Sequence, residues 1–152
     1  MRLVIQRVSE AAVIVNGSTK AAIRSGLLVF LGISREDTRA EADHMLDKLL
    51  GLRIFSDENG KMNRNIAESG GALLLVSQFT LYADCRKGRR PGFERAAPAE
   101  QARELYEYFV EGARHGPVPV ETGIFQASME VHLVNQGPVT ILLDSEDFRK
   151  KT

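Results

Sequence analysis

The stretch Met129-Glu130-Val131-His132-Leu133-Val134-Asn135-Gln136-Gly137-Pro138-Val139-Thr140-Ile141-Leu142-Leu143 decides how this chain is read. Two apolar, strand-like runs flank the segment Asn135 to Pro138, so the pattern is strand, tight corner, strand. Proline fixes its own φ, and Gly137 reaches angles closed to other residues. The corner is therefore stiff and presents bare carbonyls, which can read the handedness of a small ligand. A Gly-Pro bond can be cis here, although only about 5–6% of X–Pro bonds in folded proteins are.

Working outward, a second apolar run, Ala72-Leu73-Leu74-Leu75-Val76, ends in Ser77-Gln78-Phe79-Thr80-Leu81. It reads as a central strand that delivers Ser77 to Thr80 at its end. Leu27 to Ile33 is apolar throughout, as expected of a strand buried on both faces. Leu3 to Val8 alternates, Ala11 to Val15 follows, and Asn16-Gly17 is a hairpin signal with Ala21-Ala22-Ile23 returning. Arg53-Ile54-Phe55 is a short strand, and Ser56 to Lys61 is a turn-rich loop.

Two helices interrupt the strands. Asp37 or Thr38 caps the first, with Glu41 three residues after Thr38 as in a capping box. Ala42, Met45, Leu46 and Leu49 then share one face. Pro98 starts the second, whose apolar face is Ala102, Leu105, Tyr106, Phe109 and Val110, and the run His115 to Pro119 ends it. Ala83 to Ala97 reads as a long loop and Ser145 to Thr152 as a frayed polar tail. The fold expected is α/β: a twisted sheet with two amphipathic helices packed on one side.

The 152 residues predict one domain, 1–152, with no linker or repeat that would split it. No apolar run approaches the roughly 18 residues of a membrane span, so no membrane partner is expected. The single cysteine, Cys85, allows no internal disulfide, which makes a reducing cytoplasm the expected home. Twenty basic residues balance twenty acidic ones. That excludes a protein that coats nucleic acid, and no DNA partner is expected. An RNA partner would need a local basic patch, and Arg86-Lys87-Gly88-Arg89-Arg90 is one, although a charge run in a loop is usually just a solvated face.

Candidate chemistry is sparse. His44, His115 and His132 are scattered and read as structural or surface residues, so no metal and no cofactor are expected. Cys85 lies beside Arg86 and Lys87 with no histidine nearby in sequence, which argues against a cysteine nucleophile. Asp57 and Glu58 read as turn formers. Ser77 and Thr80 remain as hydroxyls at a strand end, where capping of backbone groups is the commoner role. A strand end also frees backbone N–H groups that can hold a developing oxyanion. Phe79 adds an aromatic face suited to stacking on a base or ribose. Arg7 shares parity with Leu3 and Ile5; it either points inward and holds the corner, or snorkels outward.

The pair Ser77-Gln78-Phe79-Thr80-Leu81 and Asn135-Gln136-Gly137-Pro138-Val139-Thr140, specific in combination, resembles the D-aminoacyl-tRNA deacylases, also called D-tyrosyl-tRNA deacylases. The resemblance extends through Gln6-Arg7-Val8, Gly26 to Val29, Arg53 to Asp57, Gly60 to Asn63 and Arg90-Pro91-Gly92-Phe93. Gly92 departs from the family, standing where a small hydroxyl residue is common.

The resemblance implies curved sheets packed as a barrel-like sandwich with helices outside, a three-layer α/β/β arrangement, and a homodimer. It implies hydrolysis of the ester between a D-amino acid, or mischarged glycine, and the terminal adenosine of tRNA, a proofreading reaction that spares L-aminoacyl-tRNA. It implies catalytic roles at Ser77, Gln78, Phe79 and Thr80. Substrate binding would fall to Gly137, Pro138 and Arg7, with a cis Gly137-Pro138 corner reaching into the partner's pocket. Two mechanisms fit: Thr80 as covalent nucleophile, or backbone N–H groups around Phe79 as an oxyanion hole with the tRNA 2′-OH assisting water. The second accounts for the missing base. A non-catalytic tRNA-binding module and a structural or small-molecule-binding dimer are the competing classes, and turnover that depends on handedness separates them from an enzyme.

Overall fold

The computed structural model describes residues 1–149. Its first strand, β1 (Arg2–Val15), is one continuous run of 14 residues that serves as the axis of the sheet. Asn16 and Gly17 both adopt positive φ, 51° and 74°, the geometry a two-residue hairpin needs, and β2 (Ser18–Ile23) returns antiparallel to β1. Then come β3 (Gly26–Gly32), α1 (Arg39–Gly51), the small hairpin β4 (Phe55–Ser56) and β5 (Met62–Arg64), and the single-turn α2 (Ile66–Ser69). The chain continues with β6 (Ala72–Ser77), a 3-10 turn at Phe79–Tyr82, α3 (Ala99–Arg114), β7 (Val120–Thr122) and β8 (Glu130–Asp144).

The strand order is β2-β1-β3-β6-β7, with β8 on the other edge of β1. The pairs β3–β6 and β6–β7 are parallel and the rest of this sheet is antiparallel. Strand parity builds two cores on β3 and β6. Leu27, Val29, Leu31, Leu73 and Leu75 face α1 and α3, meeting Met45, Leu49, Leu105 and Phe109. Leu28, Leu74 and Val76 face the opposite way, onto Val8, Val13, Ala21 and Ile23 of β1 and β2. The far half of β1 thus folds back over β3 and β6, giving helices, sheet and sheet in three layers and a nearly closed barrel-like sheet.

Local chemistry explains the helices. The Glu41 carboxylate accepts the Thr38 amide at 2.8 Å, closing the expected capping box. Asp37 does not cap: its buried carboxylate accepts the Met1 ammonium at 2.5 Å and the Ser34 amide at 2.7 Å. Burial pushes the Met1 amine down from its ordinary value, against the pull of Asp37. The short α2 has a capping box of its own, Asn65 with Glu68, and ends at Gly70 with φ 73°.

Two expectations are corrected. Ser145–Phe148 forms a 3-10 turn rather than a frayed tail, because Ser145 is buried and its amide donates to the Met1 carbonyl at 2.8 Å. Arg149 then pairs with Glu36 at 3.0 Å, and the remainder of the proposed tail, 150–152, lies outside the described residues. Nor do two strands flank Gly137-Pro138. β8 is a single strand in which Asn135 opposes Val8 and Thr140 opposes Gln6, so residues 136–139 bulge out opposite Arg7 alone. A bulge is where a strand tolerates proline, which has no N–H to give the ladder.

Candidate functional site

β6 runs inward as Leu73, Leu74, Leu75 and Val76, all buried, then emerges at Ser77. The Gln78 amide still donates to the Leu31 carbonyl at 2.8 Å, the last rung before the chain turns. Phe79 and Thr80 open the 3-10 turn, so their amides have no carbonyl behind them within it. The Gln78 side-chain amide donates to the Thr80 hydroxyl, and the Phe79 ring, 56% exposed, meets Phe93 edge-on with centroids 5.0 Å apart.

These residues form one wall of a cleft of about 550 Å³. Ala97, just before α3, forms a second wall with Ala99 and Ala102 at the start of that helix, and Phe125, Gln126, Ala127 and Met129 form a third. Small side chains on α3 leave the space open. The third wall is tied to the end of β6 by the Gly123 amide, which donates to the Leu75 carbonyl at 2.9 Å. The Tyr106 hydroxyl of α3 donates to the same carbonyl at 3.1 Å, and burial raises that phenol to about 12. Gln126 holds a left-handed φ of 64°, with its side-chain oxygen accepting from Arg103 at 2.9 Å. Arg103 also lies over the Phe125 ring, 4.7 Å from its centroid.

No lining residue of this cleft is an acid, a base, a histidine or a cysteine. His44 packs on Phe148, His115 sits against Glu111 and His132 against Glu130, and Cys85 is exposed on a loop. Among the described residues no group of His, Cys, Asp and Glu is placed to hold a metal ion, and no helix is long and apolar enough to cross a membrane.

The corner is built separately. Its Gly137-Pro138 bond is cis, with Gly137 at φ 135°. Arg7 turns inward: its guanidinium donates to the Gln136 carbonyl at 3.0 Å and to the Ile54 carbonyl at 2.6 Å. Asn135 closes the base of the bulge, accepting the Val139 amide at 2.8 Å and donating to the Thr140 hydroxyl at 2.9 Å. The clamp residues Asn135 and Thr140 stand in the motif read from the sequence but have no role of their own there, and the wall residues Phe125 to Ala127 carry no sequence signal. The clamp is signalled by an asparagine and a threonine bracketing a Gly-Pro.

Corner and cleft lie apart within one chain. Arg7 sits beside Leu27 on β3, whereas Ser77 sits beside Leu31. That is four residues along the strands, roughly 13 Å, and the path from β8 through β1 and β3 to β6 adds three spacings of roughly 4.8 Å each. Ser77, Gln78 and Phe79 are thus brought together on one cleft, with Thr80 next to them, while Gly137, Pro138 and Arg7 form a second cluster elsewhere.

Comparison with known proteins follows this layout. A sequence profile described as "D-Tyr-tRNA(Tyr) deacylase" matches residues 4–144. The chain belongs to the D-aminoacyl-tRNA deacylase family. A D-aminoacyl-tRNA deacylase of Solibacter usitatus is 62% identical over 151 residues, covering 99% of this chain and 100% of the relative. That of Symbiobacterium thermophilum is 60% identical, covering 96% and 97%. Among solved structures, one described as "c-Myc DNA Unwinding Element Binding Protein" superposes with a TM-score of 0.91 at 45% identity, covering 95% of this chain and 98% of that one. A probable eukaryotic D-amino acid tRNA deacylase shares the fold at 19% identity, with a TM-score of 0.79 and 93% and 97% covered. Residues 4–144 include both the cleft and the corner, so the family match takes in every residue of the two clusters.

Proposed function

We propose that this chain is a D-aminoacyl-tRNA deacylase that hydrolyses the ester joining a D-amino acid, or glycine, to the terminal adenosine of tRNA, while sparing the L form. Family membership makes it a hydrolase of aminoacyl-tRNA esters. The observation that carries the finer reading is an apolar cleft without a titratable side chain, with the amides of Phe79 and Thr80 at its edge. Such a site has no general base of its own, so its contribution is binding and electrostatic stabilisation.

In this reading the Phe79 ring stacks on the adenosine. The ester carbonyl oxygen points at the Phe79 and Thr80 amides, which hold the negative charge as water adds. The ribose 2′-OH assists that water, the bond from carbonyl carbon to ribose oxygen breaks, and the ribose oxygen takes the proton. Ser77 and Gln78 shape the pocket.

Handedness is read by the corner of a second copy. The carbonyls at Gly137 and Pro138 receive the substrate amino group and occupy the space an L side chain needs. Excluding L by a fixed obstacle is easier than attracting D, since both enantiomers carry the same groups. The separation of corner and cleft within one chain supports a homodimer completed in trans. So does β8, which pairs with β1 along one edge while its other edge has no strand partner among the described residues. The cell compartment proposed is the cytoplasm, where aminoacyl-tRNA is used.

The deciding experiment measures deacylation of matched D- and L-aminoacyl-tRNA. Hydrolysis of the D and glycyl forms with the L form spared is the expected result. Equal rates on both enantiomers, or turnover of neither, refutes the reading.

A further inference from the structure

The loop between the 3-10 turn and α3 carries the densest positive charge in the chain, and the function proposed above does not use it. The loop joins two walls of the cleft: Phe79 lies one 3-10 turn before it, and Ala97, near its end, lines the cleft beside Ala99 of α3. Its base is stapled in place. The Ala97 amide donates to the Ile33 carbonyl at 2.9 Å and the Arg35 amide to the Arg95 carbonyl at 3.1 Å, with Ser34 and Ala96 forming a bridge. Further out, Asp84 and Gly92 exchange two backbone hydrogen bonds, 2.7 and 2.9 Å. That pair pinches residues 85–91 into a projecting finger, and Phe93, directly after the pinch, holds the cleft's Phe79 ring.

Every residue from Arg86 to Arg90 is exposed. One cation is already spent on structure. Arg86 makes a two-pronged contact with Asp84, and that guanidinium holds the Asp84 carboxyl at about 2, well below its ordinary 3.8. Lys87, Arg89 and Arg90 have no carboxylate within ion-pairing distance among the described residues, whereas Arg95 is committed to Glu146 and Arg149 to Glu36. Gly88 turns the tip with a positive φ of 68°, which sets Lys87 on one limb and Arg89 and Arg90 on the other. A chain with no net charge thus carries, on one loop that joins two walls of the cleft, three cations without a carboxylate partner among the described residues.

We infer that Lys87, Arg89 and Arg90 form a phosphate-binding finger that grips the RNA backbone immediately before the substrate's terminal adenosine. The inference rests on the reading that the cleft takes that adenosine. Seven residues folded back on themselves reach on the order of 10 Å beyond the pinch, at a little over 3 Å per extended residue. That spans about three stacked nucleotides at 3.4 Å each along one strand. The finger therefore meets the single-stranded 3′ end rather than the body of the tRNA. The contact is to phosphates and carries no sequence information. It explains how a neutral protein holds a polyanion, and it leaves tRNA identity unread.

The test removes the three charges, as Lys87→Gln, Arg89→Gln and Arg90→Gln together, and reads binding and turnover separately. The binding probe is an uncharged acceptor-stem minihelix ending in CCA, titrated at several salt concentrations. The variant should bind more weakly, and the slope of log affinity against log salt should fall by about 2, at roughly 0.7 per single-strand phosphate released. In turnover, KM for D-aminoacyl-tRNA should rise about tenfold at ~0.1 M salt with kcat retained. D-aminoacyl-adenosine, which lacks those phosphates, should show neither change. A control that removes two cations from another exposed surface, Lys20→Gln on β2 with Arg24→Gln just after it, should leave minihelix binding as it was. Unchanged minihelix binding in the triple variant overturns the inference. So do equal losses on both substrates, which would mean a distorted cleft, and binding of duplex DNA as tight and as finger-dependent as that of the minihelix. If the parent hydrolyses neither substrate while the finger still governs minihelix binding, the finger stands and the deacylase reading falls.

Discussion

At the scale of single residues, the question is whether any side chain does covalent work. Thr80 is the strongest candidate because its hydroxyl lies at the edge of the cleft. That hydroxyl accepts from the Gln78 amide, and no acid, base or histidine lines the cleft to take its proton. An unactivated alcohol is a poor nucleophile. Thr80→Ala should therefore retain kcat within about tenfold, since one general-base or nucleophilic role is worth at least a hundredfold. Single-turnover deacylation checks this. An aminoacyl adduct trapped on Thr80, or loss of all turnover in a folded variant that still binds tRNA, would overturn it. The charge at Arg7 has a plainer use, since its guanidinium links the carbonyls of Ile54 and Gln136 and so ties β8 to the segment before β4.

At the scale of elements, the corner is a bulge held by side chains on either side. Asn135 satisfies the Val139 amide, which the β1 ladder no longer reaches. Asn135→Ala leaves that half-buried N–H without its acceptor, at a cost of about 1–2 kcal/mol in unfolding free energy, measured in urea. The same variant should lower the ratio of D to L hydrolysis while leaving D turnover nearly intact, because the corner loosens and the cleft does not. A destabilised variant with full selectivity would separate the corner from chirality. Much at this scale was legible in the sequence. Asn16-Gly17, the Thr38–Glu41 capping box and the α3 stripe each declare themselves within a few neighbouring residues, and each is present as read. What escaped depends on distant partners. That β1 is one strand serving β2, β3 and β8, or that β8 runs unbroken through a Gly-Pro, is decided by pairing across more than a hundred residues. Ser145 looks like tail until the Met1 ammonium and Asp37 are found beneath it. Gln126 carries no turn signal, and its left-handed backbone is set by its place in the cleft wall.

At the scale of the whole molecule, β8 leaves apolar surface on both of its faces open to water. Val131, Leu133, Val139, Ile141 and Leu143 of β8 pack on the cores yet remain only half buried. On the opposite face Leu142 is 74% exposed and Val134 49%. An edge with no strand partner among the described residues and apolar side chains beside it suits a partner strand or face, and the homodimer proposed above would supply one symmetrically. A homodimer that shares its sites makes a prediction no monomer can imitate. Ala99→Trp, at an exposed position lining the cleft, fills one component of the site. Gly137→Ala disrupts the other, because a Cβ there would lie 2.8 Å from the Val139 side chain and 3.0 Å from the Val139 amide nitrogen, at a φ of 135°. Each variant alone should lose D-selective turnover. Mixed and allowed to exchange subunits, half of the dimers carry both variants. If the corner of one copy serves the cleft of the other, such a dimer has one site with both defects and one with none, so about a quarter of wild-type activity returns. If corner and cleft act within one chain, every site keeps a defect and nothing returns. Native mass spectrometry of the same mixtures resolves the mixed dimer from either homodimer, so a failure to recover activity in exchanged dimers rules out sites shared between the subunits.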